Sequence, residues 1–126
     1  MPTSSSPKAT NSPSLPSQVK IGVQVFDVIE RSRSKDGMLN DSTYGYTLDT
    51  ENLIVIDSSI HFSKKQVTLL HEIMHACRMS FDNSVKPKKG EEFEAWEHYF
   101  IGVWETSLLL VMRDNPKLLA YLLWDQ

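Results

Sequence analysis

The chain has 126 residues, 23% of them charged and 40% hydrophobic, with a formal net charge of −3 and a pI near 5.8. That length supports one domain with a modest core, and the slightly acidic balance supplies no basic field to attract nucleic acid. The one cysteine, Cys77, excludes an intrachain disulfide and suits a reducing compartment, and no apolar run is long enough to span a bilayer, so a cytoplasmic protein is expected.

Residues 1–18 are rich in Ser, Pro, Thr and Asn, with Leu15 the one large apolar side chain after Met1. Such a stretch buries too little to offset its ordering entropy, so a disordered tail is expected at 1–18, with the folded domain at 19–126. The alternation Val19, Ile21, Val23, Val25 predicts a strand with one buried face, running on to about Ile29. Arg31 to Thr43 is polar and carries turn signals at Asp36-Gly37 and Asn40-Asp41, as a surface loop does. Tyr44–Leu48 and Leu53–Ile56 flank the polar tetrad Asp49–Asn52, which predicts an antiparallel hairpin. Leu53–Ile56 is apolar on both faces and therefore suits an internal strand.

Ser63 and Gln66 fit a capping box, so a helix is expected from Ser63 to about Met79. A polar loop containing Lys86-Pro87-Lys88-Lys89 follows. A second helix should begin near Glu91, where acids suit the positive end of the dipole, and run to about Met112. Asn115 as N-cap with Pro116 at the first helical position opens a short third helix with an apolar face of Leu118, Leu119, Leu122 and Leu123. The expected class is α+β: a small antiparallel or mixed sheet packed on two or three helices.

The first helix carries His71-Glu72-Ile73-Met74-His75, an HExxH sequence, and no Gly or Pro interrupts its flanks. Imidazoles four residues apart stand one turn above each other on one helix face, so both can bind a single tetrahedral Zn2+. Glu72 then lies beside the open coordination position, where a general base is useful. Cys77, on the same helix, reads as a small buried apolar residue rather than a ligand.

A catalytic zinc usually has three protein ligands. Phe81 stands where a third histidine of an extended motif would fall, so a carboxylate on the second helix is the remaining source. Its candidates are Glu91, Glu92, Glu94, Glu97 and Glu105. Phe93, Trp96, Phe100, Val103, Trp104 and Val111 form an apolar stripe, and Glu97 falls inside it whereas Glu94 and Glu105 border it. A core-facing carboxylate needs compensation such as a divalent cation, so Glu97 is the expected ligand and Glu94 the second choice. His98 points about 100° away toward solvent. His61, just before the first helix, reads as a surface residue able to approach the site as a hydrogen-bond donor.

These residues resemble the small phage-type gluzincin metallopeptidases, akin to the ImmA/IrrE group of zincins. The resemblance spans roughly residues 19–123 and rests on Gly45 ahead of Ile54-Val55-Ile56-Asp57, on Thr68–Ala76, and on a Glu-bearing helix ending in Arg113-Asp114-Asn115-Pro116-Lys117-Leu118. It implies a zincin-like minimal domain in which His71, His75 and the glutamate matching Glu97 bind zinc and Glu72 is the base. Family members often carry two adjacent acids where this chain has Glu97-His98.

The implied function is a zinc-dependent endopeptidase. The expected partner is a protein or peptide substrate, with neither nucleic acid nor membrane, and the sequence sets no oligomeric state. Tyr44, Tyr46 and His61 are candidate donors to the oxyanion, and the hairpin edge is a candidate seat for an extended substrate. Two other readings stand beside it: a zinc-stabilised interaction module without proteolysis, and a metal-free domain whose partner surface is the aromatic second helix.

Overall fold

A computed structural model describes residues 12–81 and 87–125. The part of the expected tail at 1–11, and residues 82–86 of the loop between the first two helices, lie outside the described residues. The described chain folds as α+β: strands β1 (Gln18–Ile21), β2 (Gln24–Arg31), β3 (Gly45–Leu48) and β4 (Leu53–Asp57), then helices α1 (Phe62–Phe81), α2 (Phe93–Asp114) and α3 (Pro116–Leu122). The sheet is mixed, in the order β1-β2-β4-β3, with β2 and β4 parallel and the two outer pairs antiparallel.

The expected long first strand is a hairpin. The chain reverses at Gly22, whose φ of +64° suits glycine, and the Phe81 ring lies 2.6 Å from where a β-carbon would stand. Val19 and Ile21 are buried as the alternation requires, whereas Val23 at the turn and Val25 are exposed. The chain also joins the fold earlier than Val19. Pro16 is buried, Leu15 packs against the core, and the Ser17 carbonyl accepts the Val28 N–H at 2.9 Å. The β3–β4 hairpin forms as its sequence predicts, with Asn52 at positive φ in the turn. Ile54, Val55 and Ile56 are fully buried, as suits a strand flanked by neighbours on both edges.

Helix α1 begins one residue before the expected cap. The His61 carbonyl accepts the Lys65 N–H, which puts Ser63 inside the first turn. Gln66 does not complete a capping box. Its side-chain amide donates to the carbonyls of Tyr121 and Trp124 at 2.8 and 2.9 Å, tying the end of α3 to the start of α1. Asn115 occupies the N-cap of α3 with Pro116 following, yet its side chain serves the sheet instead of the cap. It accepts the Lys20 N–H and donates to the Lys20 carbonyl, both at 2.8 Å, so a side chain partners the outer edge of β1. The core between sheet and helices is built from Val19, Ile21, Phe26, Val28, Ile54, Ile56, Leu69, Ile73, Ala76, Val111, Leu118 and Tyr121.

Candidate metal centre and cleft

Helix α1 turns Leu69, Ile73, Ala76 and Cys77 into the core, which leaves His71 and His75 exposed on the far side. Their Nε2 atoms lie 3.1 Å apart, with ring centroids at 4.8 Å and planes at 71°. Two nitrogens bound to one tetrahedral zinc at about 2.0–2.1 Å would be separated by about 3.3 Å. The imidazole pair therefore fits a shared divalent ion. Glu72 points toward the sheet, is 5% exposed, and accepts the Thr47 hydroxyl at 2.8 Å through Oε1. Cys77 is buried, beside the Ser107 hydroxyl, and burial pushes its thiol pKa up, which suits a packing residue.

Between α1 and β3 runs a cleft of about 570 Å³, lined on one wall by Ser42–Thr47 and on the other by Val67, Thr68, His71, Glu72, His75 and Met79. Its width depends on Gly45. A β-carbon there would stand 2.7 Å from Thr68 Cγ2 and 2.8 Å from the Val55 carbonyl oxygen, so only glycine lets β3 approach α1 this closely. That approach puts Thr47 within reach of Glu72.

The remainder of the β3 wall is fixed by carboxylates, Asp36 and Asp41 in the preceding loop and Asp57 on the neighbouring strand. Asp57, fully buried at the end of β4, accepts the Ser59 N–H and hydroxyl and a two-pronged contact from Arg33 at 2.9 and 2.8 Å. Burial alone would raise its pKa, but the Ser59 and Arg33 hydrogen bonds outweigh burial and hold it below the ordinary carboxylate range. Arg33 also reaches Asp41 at 2.6 Å. Tyr46 donates its hydroxyl to Asp36 at 2.5 Å and accepts from Arg31 at 3.1 Å. Burial, then the Asp36 carboxylate, pushes the Tyr46 phenol up, and the Tyr46 bond leads the causes that pull Asp36 down.

The candidate oxyanion donors separate accordingly. Tyr46 lines the cleft with its hydroxyl engaged by Asp36 and Arg31, and His61 is exposed and outside the lining. Tyr44 lines the cleft with Lys64 Nζ 5.8 Å from its ring centroid.

Glu97 is placed differently from its expected core-facing position: it is exposed. The apolar stripe of α2 is real, but only its second half meets the domain, through Val103, Ser107 and Val111. Ser107 stands beside Cys77, and Leu108, Val111 and Met112 share a groove with Leu70 and Ile73, so α1 and α2 run antiparallel. In that register Glu97 lies about twelve residues, roughly 18 Å, beyond the level of His75. Among the described residues no three His, Cys, Asp or Glu side chains are close enough to hold one ion. Glu94 pairs instead with His98 at 3.6 Å, and both are well exposed.

Sequence reasoning missed Thr47 and Arg33, and it used Gly45 and Asp57 only as marks of the resemblance. Each acts through a long-range contact that residue spacing does not reveal. No helix of the described residues is long and apolar enough to cross a membrane. Comparison with protein-family profiles, curated proteins and solved structures gives no match to this chain.

Proposed function

We propose that this chain is a zinc-dependent endopeptidase of zincin-like build, acting in the cytoplasm on a protein or peptide substrate. The observation that carries the reading is the convergence of the His71 and His75 Nε2 atoms at 3.1 Å, one helical turn apart and next to the buried Glu72 on the wall of an open cleft. Zinc held by this pair would supply Lewis acidity toward a peptide carbonyl and toward water. Glu72 takes the proton of the attacking water and passes it to the leaving amine. The Thr47 hydroxyl fixes one oxygen of that carboxylate and leaves the other for the proton. Tyr44 is the candidate donor to the developing oxyanion.

Strand β3 is one of the two edge strands of the sheet and forms one wall of the cleft. An extended substrate adding to it would lie between its backbone and the imidazoles. Glu97 is the third ligand in this reading, which requires the amino half of α2 to fold back along α1 and close the roughly 18 Å between Glu97 and the level of His75.

That distance favours a second reading, a zinc-stabilised interaction module bound through two histidines. Cleavage of a denatured protein substrate by the zinc-loaded chain, compared with Glu72→Gln, separates the two. The peptidase reading expects the substitution to abolish turnover while zinc binding persists. Cleavage that survives Glu72→Gln rules out the assigned base. No zinc-dependent cleavage by either chain favours the interaction module.

A further inference from the structure

The amino half of α2 carries an apolar face that the described residues of the domain leave largely uncovered. Phe93 is 78% exposed, Phe100 46% and Ile101 52%, although Phe93 and Phe100 continue the stripe that Val103, Ser107 and Val111 bury further along the same helix. The face is ordered by its own rings. Trp96 lies against Tyr99 and Phe100, each at 6.1 Å, and Phe100 stacks on Trp104 at 5.8 Å with planes 11° apart. The Trp104 indole N–H is out of water and has no acceptor among the described residues.

Charge on this helix is one-sided until Arg113 in its last turn. From Glu91 to Met112 there are five glutamates (91, 92, 94, 97 and 105) and no Lys or Arg. On the helical wheel Glu94, Glu97 and Glu105 line one flank of the ring ladder, with Ile101 among them. An apolar strip of this kind attracts a partner with its own apolar strip, and the carboxylate row selects one with cations beside that strip. Arg and Lys also gain from the faces of the aromatic rings.

We propose that the overhanging half of α2 is a docking surface for a cationic amphipathic helix, with apolar side chains on the Phe93–Trp96–Phe100 rings and Lys or Arg against Glu94 and Glu105. The proposal does not rest on the peptidase reading: it uses neither the histidine pair nor Glu72, and it takes the amino half of α2 as it stands, away from α1, whereas Glu97 joining a zinc site would draw that half toward α1. Anionic membrane surfaces are disfavoured by the same carboxylates.

The test uses the full chain and two synthetic amphipathic peptides, one of Leu and Lys and one with Glu replacing every Lys, followed by tryptophan fluorescence and calorimetry. The Lys peptide should bind saturably, at least about tenfold tighter than the Glu peptide, and weaken as salt is raised. Phe100→Ser with Ile101→Ser, both at exposed positions, should weaken it by about tenfold or more. Glu94→Lys with Glu105→Lys should lose the Lys peptide and gain the Glu peptide, a swap that misfolding does not produce. Equal binding of both peptides, or binding indifferent to either double variant, overturns the proposal. So does sedimentation showing a dimer that the Phe100/Ile101 variant dissociates, because a second copy would then be the occupant. Preferential binding to phosphatidylserine vesicles overturns it as well.

Discussion

Gly45→Ala tests whether β3 is seated on the HExxH helix as described. The added carbon would meet Thr68 Cγ2 at 2.7 Å and the Val55 carbonyl oxygen at 2.8 Å. The threonine methyl can rotate away, but the carbonyl belongs to a fully buried residue of the internal strand β4 and cannot. Relief therefore requires β3 to move outward by about 0.6 Å or more, an overpacking strain of about 1–3 kcal/mol. For a domain of this length that lowers the melting temperature by roughly 3–5 °C per kcal/mol. The same movement stretches the 2.8 Å bond from Thr47 to Glu72, so any peptidase activity should fall further than stability does. Thermal and urea melts followed by far-ultraviolet circular dichroism read the stability. Gly37→Ala is the control, because a β-carbon there meets nothing within 4 Å. If Gly45→Ala melts within about 0.5 kcal/mol of the parent, as the control should, the described contact between β3 and α1 is wrong.

Three further outcomes are expected. Thr47→Val should cost about 1–3 kcal/mol by leaving a buried carboxylate oxygen without its donor, and Thr47→Ser should recover most of it in urea melts. Asn115→Ala removes the bonds to both backbone groups of Lys20 and to the Val111 carbonyl; a loss of about 2–4 kcal/mol is expected, with faster amide exchange in β1 than in β4. Asp57 has a folded-state pKa below its unfolded value, so its contribution is complete above about pH 4 and is lost as pH falls through the lower, folded value. Urea midpoints of the parent and Asp57→Asn should therefore differ most near neutrality and converge toward pH 2, and a constant difference down to pH 2 would contradict this.

Local patterns in the chain foretold what local physics decides. The two-sided apolar run Leu53–Ile56, the polar tetrad Asp49–Asn52 and the Asn115-Pro116 junction all mark elements that form where expected, whereas the alternation Val19–Val25 reads as one strand and Gly22 turns it into a hairpin. The histidine pair was equally legible, because a four-residue spacing on an uninterrupted helix leaves the rings nowhere else to go. What depended on tertiary placement was not. Asn115 stands at the N-cap position that its sequence predicts, but its side chain, like that of Gln66, binds backbone far away in sequence instead of capping a helix. The periodicity of α2 gave the direction of its apolar face but not how much of that face its neighbours cover, which is why Glu97 stands in solvent. Thr47, the partner of Glu72, emerged only from the packing that Gly45 permits.

The most direct test is calorimetric titration of zinc into metal-free protein, alongside His71→Ala, His75→Ala and Glu97→Gln. One equivalent should bind the parent saturably in the micromolar range or tighter. Either histidine substitution should weaken it by about a hundredfold or more, and Glu97→Gln by a smaller factor if that carboxylate joins the loaded site. Absence of saturable binding, or binding that both histidine variants retain, would contradict the claim that His71 and His75 form a metal centre.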